Sequence, residues 1–598
     1  MKGIAPIAIV MACCFGQLAC TESTKKDLLA PTHPNVVIIL ADDQGWGDLS
    51  HSGNRNLSTP HIDQLAIQGV SFDRFYVQPV CSPTRAELLT GRYHLRSGVY
   101  GTSQGQERLD LDEVTLADVF RAAGYATAAF GKWHNGTQYP YHPNGRGFDE
   151  FYGFCSGHWG NYFSPVLEHN GELVRGSGYL ADDLTERAMD FLEENKDRPF
   201  LLYLPLNTPH SPMQVPDRWW DEFKGKSLPM SLSSELAEDL DYTKAALAMC
   251  ENIDWNVGRL MGKLESLGLD ENTIVIYFSD NGPNSTRWNG GMKGRKGSTD
   301  EGGVRTPFFI QWKSTLAAGQ VVPQIAGAID VLPTLVDLAG IPLSPTKPLD
   351  GKSLLPLLLD AQQEDWADRT IFNHWNGHTS LRTQEFRLDK DGNLFQMVSD
   401  PSQSSPVNGL YPEIVTQLSK AKEDWEREMY RERDESQRPF TLAHPDAQIT
   451  QLPARDGIPH GNIVRSNRFP NDAFFTNWVS TSDSISWDIE VLGRGDFLVE
   501  AFYTCSEENV GSKVGMYIGS SSLEFQVGEP HDPPLTGMEH DRVERMESYV
   551  KDFKPMRLGI VHLRPGKASL RLKAHEIPGT QVMDLRSLLF TRIHETME

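Results

Sequence analysis

Basic residues are scarce in this chain: 56 Lys and Arg stand against 80 Asp and Glu, a formal net charge of -24. That balance excludes non-specific binding to nucleic acid, and an anionic substrate would need a local cationic pocket working against the global field. Cysteine is scarcer still. After Cys20 only Cys81, Cys155, Cys250 and Cys505 remain, too few for a disulfide scaffold, and Cys155 and Cys250 read as small buried hydrophobes. No apolar run is long enough to cross a bilayer in the mature protein. There is neither an internal repeat of solenoid period nor a long low-complexity tract. The 598 residues instead have an ordinary globular composition, 39% hydrophobic, 10% aromatic and 23% charged. One hydrophobic core does not accommodate that much chain, so two or three domains are expected.

The opening MKGIAPIAIVMACCFGQLACTES carries one Lys, an apolar run and small residues near Ala19-Cys20, the pattern of a secretory signal over residues 1–20. Cys20, after Leu18-Ala19, resembles the cysteine of a bacterial lipobox, which is lipidated after cleavage, although Gln17 stands where an aliphatic residue is usual. A lipid anchor at Cys20 and simple cleavage both stay open. Either implies export, to the periplasm or the bacterial cell surface. A polar linker, 21–34, follows.

Short apolar runs then recur between turn signals: Val36 to Leu40, Ala126 to Phe130, Phe200 to Leu206, Thr273 to Phe278 and Thr306 to Trp312. Runs of that length without alternation suit strands buried on both faces. Helical patterns lie between them, at Pro60 to Gln68, Thr115 to Ala123, Tyr179 to Asn195 and Leu236 to Leu267. Alternating strands and helices predict an α/β domain over 35–345, with a mainly parallel sheet covered on both faces. Over 346–440 the rhythm changes to short antiparallel strands turning at Asp391-Gly392, then a charged helix from Pro412 to Arg433. From 441 to 598 the pattern is all-β. Trp487, Ile489 and Val491 alternate inward, then a Gly-rich turn, then Phe497, Val499 and Ala501; a second such arrangement surrounds Pro565-Gly566. These read as hairpins of a β-sandwich.

The polar residues at the strand ends carry the chemistry. Asp42-Asp43 follow the first strand, Lys132-Trp133-His134 the second, Thr208-Pro209-His210 the third and Asp280-Asn281 the fourth. Ligands of open parallel sheets bind at the carboxyl ends of strands, so topology alone predicts that the four clusters converge. Three carboxylates and an amide oxygen form a hard set suited to Ca²⁺ or Mg²⁺ rather than Zn²⁺. Lys132 and the glycine-rich segment Gly291 to Pro307 add cations that could surround a tetrahedral anion. Singly each signal has an ordinary alternative, a turn, a cap or a structural histidine. Together they suit metal-assisted hydrolysis of an anionic ester. Cys81 fits poorly: it opens a helix, with Pro83 placed at the first helical position and Arg85 in the first turn, where a thiol's pKa is lowered. Yet a soft sulfur is a poor companion for a hard metal.

CSPTRAELLTGRY, at Cys81 to Tyr93, resembles the Cys-x-Pro-x-Arg signature of formylglycine-dependent sulfatases, and GYATAAFGKWHNG is similar to that family's second signature. ADDQGWGD, TPHSP, SDNGPN and KGSTDEGGVRTP match further blocks in order, and RGFDEFYGF (Arg146 to Phe154) is also similar. The resemblance implies the alkaline-phosphatase superfamily fold and hydrolysis of sulfate esters. It implies that a maturation enzyme oxidises Cys81 to formylglycine, whose hydrate supplies the nucleophilic hydroxyl and, with Asp42, Asp43, Asp280 and Asn281, binds Ca²⁺ ahead of Mg²⁺. Arg85 and His134 would support that diol, Lys132 and Lys296 would neutralise sulfate oxygens, and His210 would meet the leaving oxygen. Lys296 fits the family's spacing five residues before Glu301; Lys293 does not.

The substrate expected is a sulfated saccharide. Aromatic loops at Ser156 to Phe163 and Phe372 to His378 could line a sugar subsite or simply pack, and the sandwich resembles carbohydrate-binding modules, with sugar binding and packing over the active-site side both open as its role. Two rivals stay beside this: a phosphonate or phosphate ester hydrolase of the same superfamily, and a non-catalytic glycan-binding protein on the same scaffold.

Overall fold

The computed structural model describes residues 33–232, 238–343, 347–361, 363, 366–433 and 438–593. The secretory signal, Cys20 and all but the end of the linker lie outside the described residues. A ten-stranded sheet organises the first part of the chain. Its strands are β1 (Asn35–Ala41), β2 (Val70–Phe72), β3 (Ala126–Lys132), β4 (Glu150–Phe154), β5 (Val166–His169), β6 (Glu172–Arg175), β7 (Phe200–Pro205), β8 (Thr273–Ser279), β9 (Phe308–Gln311) and β10 (Gln320–Val322). In space they run β10-β2-β9-β8-β1-β7-β3-β4-β5-β6. The centre, β8-β1-β7-β3-β4, is parallel, and antiparallel pairs flank it on both sides.

Every residue of β1, β3, β7 and β8 is buried, which is why their sequences show no polar alternation. The pleat instead divides them between two cores. Val37, Ile39 and Ala41 pack with the helices Leu180–Glu194 and Leu240–Ser266. Val36, Ile38 and Leu40 pack with Leu88 and Leu89 of the helix Cys81–Thr90 and with the helix Val331–Leu338. Each fully buried Val, Ile or Leu contributes ~1.5–3 kcal/mol.

Register sets up the site. Ala41 pairs with Ser279 across β1 and β8, and Leu40 with Pro205 across β1 and β7. The residues that follow, Asp42-Asp43, Asp280-Asn281 and the turn ending in His210, therefore leave the sheet side by side. The apolar run Thr306 to Trp312 is two strands rather than one. Arg305–Thr306 joins a separate three-stranded sheet, while β9 lies antiparallel against β8. Pro307 between them has no N–H to give a ladder, which ends the first strand.

A four-stranded antiparallel sheet spans Ile371–Trp375, His378–Arg382, Phe386–Leu388 and Leu394–Gln396, with the helix Pro412–Glu432 packed on it through Leu418. The turn at Asp391-Gly392 is held by Asp389, whose Oδ1 accepts the backbone N–H groups of Asp391 and Asn393 at 2.9 and 2.8 Å. That carboxylate serves its own turn.

The last part is a β-sandwich of two six-stranded sheets. Trp487, Ile489, Val491, Phe497, Val499 and Ala501 share one buried core, as their alternation requires. The hairpins expected from that pattern are absent, however. Ser484–Val491 pairs with Gly566–Glu576 in one sheet, whereas Gly495–Thr504 pairs with Lys554–Leu563 and Asp584–Ile593 in the other. The chain crosses between sheets at both glycine turns. Alternation records which side chains face inward; it is the same for a hairpin and for an arch over the core.

Candidate active site

The helix Cys81–Thr90 is buried along its whole length and points its first residue at the carboxyl end of the sheet. Pro83 is its third residue, not its first, and still falls in the turn whose N–H groups have no helical partner. Thr84 Oγ1 donates to the Asp280 carbonyl at 2.6 Å and so ties the first turn to the end of β8. Arg85 donates from Nε and Nη2 to Asp280 Oδ2 at 3.1 and 2.7 Å, and from Nη1 to the Lys132 carbonyl at 2.6 Å. One helical residue thus joins two strand ends.

The acidic residues are joined by short contacts. Asp43 N–H donates to Asp280 Oδ1 at 3.2 Å, and Asn281 Nδ2 donates to Asp43 Oδ1 at 2.7 Å. Lys132 Nζ donates to Asp42 Oδ2 at 2.7 Å, and Lys296 Nζ lies 2.7 Å from Asp43 Oδ1. Lys293 is half exposed and pairs loosely with Asp300 at 3.9 Å. Donor atoms of Asp42, Cys81 and Asp280 all come within 4.8 Å of one another, as do those of Asp42, Asp43 and His210. Asp43 and His134 both hold left-handed backbone, φ +69° and +67°, a strain of roughly 1–3 kcal/mol each that the surrounding contacts must offset.

Whether this set suits a cation is decided by two oxygens. Asp42 Oδ1 and Asn281 Oδ1 are buried and accept no hydrogen bond, and a buried acceptor without a partner costs about 1–3 kcal/mol. With Asp43 and Asp280 beside them, a hard divalent cation satisfies both atoms and the clustered charge. A second group, His142, Cys155 and Glu168, does not suit a metal. His142 Nδ1 accepts the Asn144 N–H at 3.2 Å, so Nε2 carries the proton and faces Glu168, the reverse of a ligating imidazole.

Burial works to raise the Asp43 pKa, but Lys296, His210 and Lys132 together hold it well below the usual carboxylate range. Asp280 is pushed up to about 6 by burial and by Asp42, against the pull of Arg85. Its carboxylate is therefore ionised above about pH 6 and protonated below, although an ordinary Asp titrates near 3.8. A metal must displace that proton. The rise in thermal midpoint on adding Ca²⁺ should be full above about pH 6 and shrink as pH falls through that value, which calorimetry at stepped pH measures.

Cys81 departs from the expectation of a lowered thiol. Burial raises its pKa, with Lys132 and Lys296 pulling the other way, so as an unmodified side chain it is a neutral thiol. The histidines hold opposite tautomers. A carbonyl only accepts, so His134 Nε2, 2.8 Å from the Thr102 carbonyl, must carry a proton, leaving buried Nδ1 with no hydrogen-bond partner. His210 Nδ1 donates to the Ser211 carbonyl at 2.6 Å, and Nε2 lies 3.7 Å from Asp43 Oδ2. Burial and the lysines push His134 well below its usual value and bring His210 to about 4. Lys296 and His210 are the most open members, with side chains 21% and 11% exposed.

His158 belongs to the loop Ser156 to Phe163 already noted, whereas two neighbours from the sandwich had no signal in the sequence. His158 stacks 6.0 Å from His210. From the sandwich, more than 300 residues along the chain, Glu547 reaches Ser211 and Asn471 lies across Gly157 from His134. The aromatic loops are largely packed: Trp159 stacks on Phe154, Phe163 on His540 and Phe372 on Trp425.

The sequence profile described as Sulfatase matches residues 34–341, more than half of the chain. The chain belongs to the sulfatase family. A second profile, N-sulphoglucosamine sulphohydrolase, C-terminal, matches 296–420 of this sulfatase. Mouse N-acetylgalactosamine-6-sulfatase is 33% identical over 388 residues, 59% of this chain and 70% of the mouse protein. Mouse steryl-sulfatase is 32% identical over 447 residues, 58% of this chain and 68% of that one. The crystal structure of Ps i-CgsB in complex with k-i-k-neocarrahexaose shares 31% identity and a TM-score of 0.60, over 66% of this chain and 92% of its own. The protein is therefore an enzyme, a sulfuric ester hydrolase with the mixed α/β sheet of sulfatases and further C-terminal β-sheets. No described helix is long and apolar enough to cross a membrane.

Proposed function

We propose that this sulfatase is exported and cleaves sulfate monoesters on carbohydrate, with Cys81 matured to formylglycine and with Asp42, Asp43, Asp280 and Asn281 holding Ca²⁺. The observation that carries the reading is the meeting of these four residues with Cys81 beneath Lys132 and Lys296, with acceptor oxygens of Asp42 and Asn281 left over. The carbohydrate element draws on the saccharide complex of Ps i-CgsB and on the mouse relative named for an amino-sugar sulfate.

Formylglycine hydrate would supply the attacking oxygen, and Ca²⁺ a fixed positive charge for anionic oxygens. The chain's own side chains do the rest. Lys132 and Lys296 offset the charge of the sulfate in a buried site, where such contacts are worth more than in water. Arg85 stands one helical turn after position 81, on the same face, and steadies the group there. His134, neutral with a bare Nδ1, is a base within the site. His210 offers Nε2 to the leaving oxygen. An anion beside Lys296 weakens the repulsion that holds His210 down and favours the proton that an alkoxide needs.

The test is turnover by matured protein of sulfated mono- and disaccharides, and of 4-nitrophenyl sulfate against 4-nitrophenyl phosphate. Sulfate esters should be cleaved faster. Faster phosphate cleavage would favour the ester-hydrolase rival, and binding without hydrolysis by protein with a verified aldehyde would favour the glycan-binding one.

A further inference from the structure

The turn that carries His210 is fastened from two sides. From the catalytic part, Tyr162 Oη lies 3.0 and 2.9 Å from the carbonyls of His210 and Ser211 and shares its one proton between them. From the sandwich, Glu547 Oε1 accepts the Ser211 hydroxyl proton. Glu547 is only 8% exposed, its Oε2 accepts no hydrogen bond, and its charge acts on the His210 imidazole. Packing alone would be served better by an apolar side chain. The segment that delivers it is nevertheless clamped in place. Gln214 Nε2 donates to the Gly537 carbonyl at 2.7 Å and to Asp541 Oδ1 at 3.0 Å. Arg542 Nε donates to the Val215 carbonyl at 3.1 Å, and Arg545 to the Gly160 carbonyl.

We propose that Glu547 is a positioning residue for hydrolysis, supplied by the appended sandwich: by holding Ser211 it fixes the carbonyl that accepts the His210 Nδ1 proton, and so aims His210 Nε2 at the leaving oxygen. The inference rests on the sulfatase reading given above, with His210 on the leaving side. It makes the sandwich part of the catalytic apparatus for poor leaving groups. A sugar alkoxide leaves only with a proton or a strong hydrogen bond, whereas 4-nitrophenolate leaves without help.

The experiment compares matured full-length wild type, Glu547→Ala, Glu547→Gln and Ser211→Ala on N-acetylgalactosamine 6-sulfate, galactose 6-sulfate and 4-nitrophenyl sulfate. Glu547→Ala should lower kcat on whichever sugar sulfate the wild type cleaves by about 10–100-fold with little change in KM, the range expected when a proton donor is misaimed. On 4-nitrophenyl sulfate the loss should stay within about 3-fold. Glu547→Gln keeps an acceptor for Ser211 and should recover most of kcat. Ser211→Ala removes the same hydrogen bond from the other side and should reproduce the loss, which keeps the test alive if Glu547→Ala fails to fold. Equal losses on both substrate types, a loss in KM alone, or no loss on the sugar sulfate would overturn the positioning role. A wild type that cleaves no sulfate ester overturns the sulfatase reading instead.

Discussion

Cys81→Ala should abolish hydrolysis, with kcat lowered by about 10⁴-fold or more, the scale seen when an enzyme loses its nucleophile. The fold should barely notice. Cys81 is a small side chain at the start of a helix held by Thr84 and Arg85, whose bonds to Asp280 and to the Lys132 carbonyl do not involve sulfur. The thermal midpoint should therefore move by no more than a few degrees. The chemical argument is that burial raises the thiol's pKa, so the unmodified residue is neither a thiolate nor a good ligand for a hard cation. An oxygen at that position resolves both problems. Mass spectrometry of the peptide spanning Cys81 in active protein should show a carbonyl in place of the thiol. Full activity with unmodified cysteine would falsify the maturation proposed here.

Asp280→Asn should remove the Ca²⁺-dependent rise in thermal midpoint and lower kcat/KM by at least about 10²-fold, since even outer-shell changes cost metal sites 10–100-fold. The metal-free protein should change far less, because two effects oppose each other. Ionising the Asp280 carboxyl is disfavoured by burial and by Asp42, a penalty that a neutral side chain relieves. Against this, buried Arg85 loses its nearer carboxylate and keeps Asp42 at 3.9 Å, a loss of about 3–5 kcal/mol for a broken buried pair. A net change smaller than that loss is expected. Calorimetry of wild type and variant, each with and without Ca²⁺, separates these contributions. An undiminished Ca²⁺ response in the variant would remove Asp280 from the metal set.

Sequence alone went furthest where geometry is forced. A strand buried on both faces must be an unbroken apolar run, and whatever polar residue follows it emerges at the end of the sheet. That logic placed Asp42, Lys132, His210 and Asp280 on one edge, and the register of β1 with β7 and β8 brings their strand ends together. The period-2 pattern likewise marked the inward faces of the sandwich. Pairing is a different matter, because an inward side chain looks the same whichever strand lies beside it. The strands around Gly493 and Pro565 therefore read as hairpins although they belong to opposite sheets.

The environment of Cys81 was likewise beyond reach. A helix N-terminus lowers a thiol's pKa and burial raises it, and only the folded chain shows that burial prevails. The same holds for the sandwich at the active site. Nothing in the residues around Glu547 or Asn471 points to a histidine more than 300 positions away, since that meeting depends on how segments far apart in the chain pack together. The residue types and strand ends of the site were determined by local sequence, because each follows from one segment's own burial. The tautomers of the histidines, the leftover acceptor oxygens of Asp42 and Asn281 and the grip of Glu547 on Ser211 were decided by tertiary structure, because each needs atoms from distant segments at hydrogen-bond range.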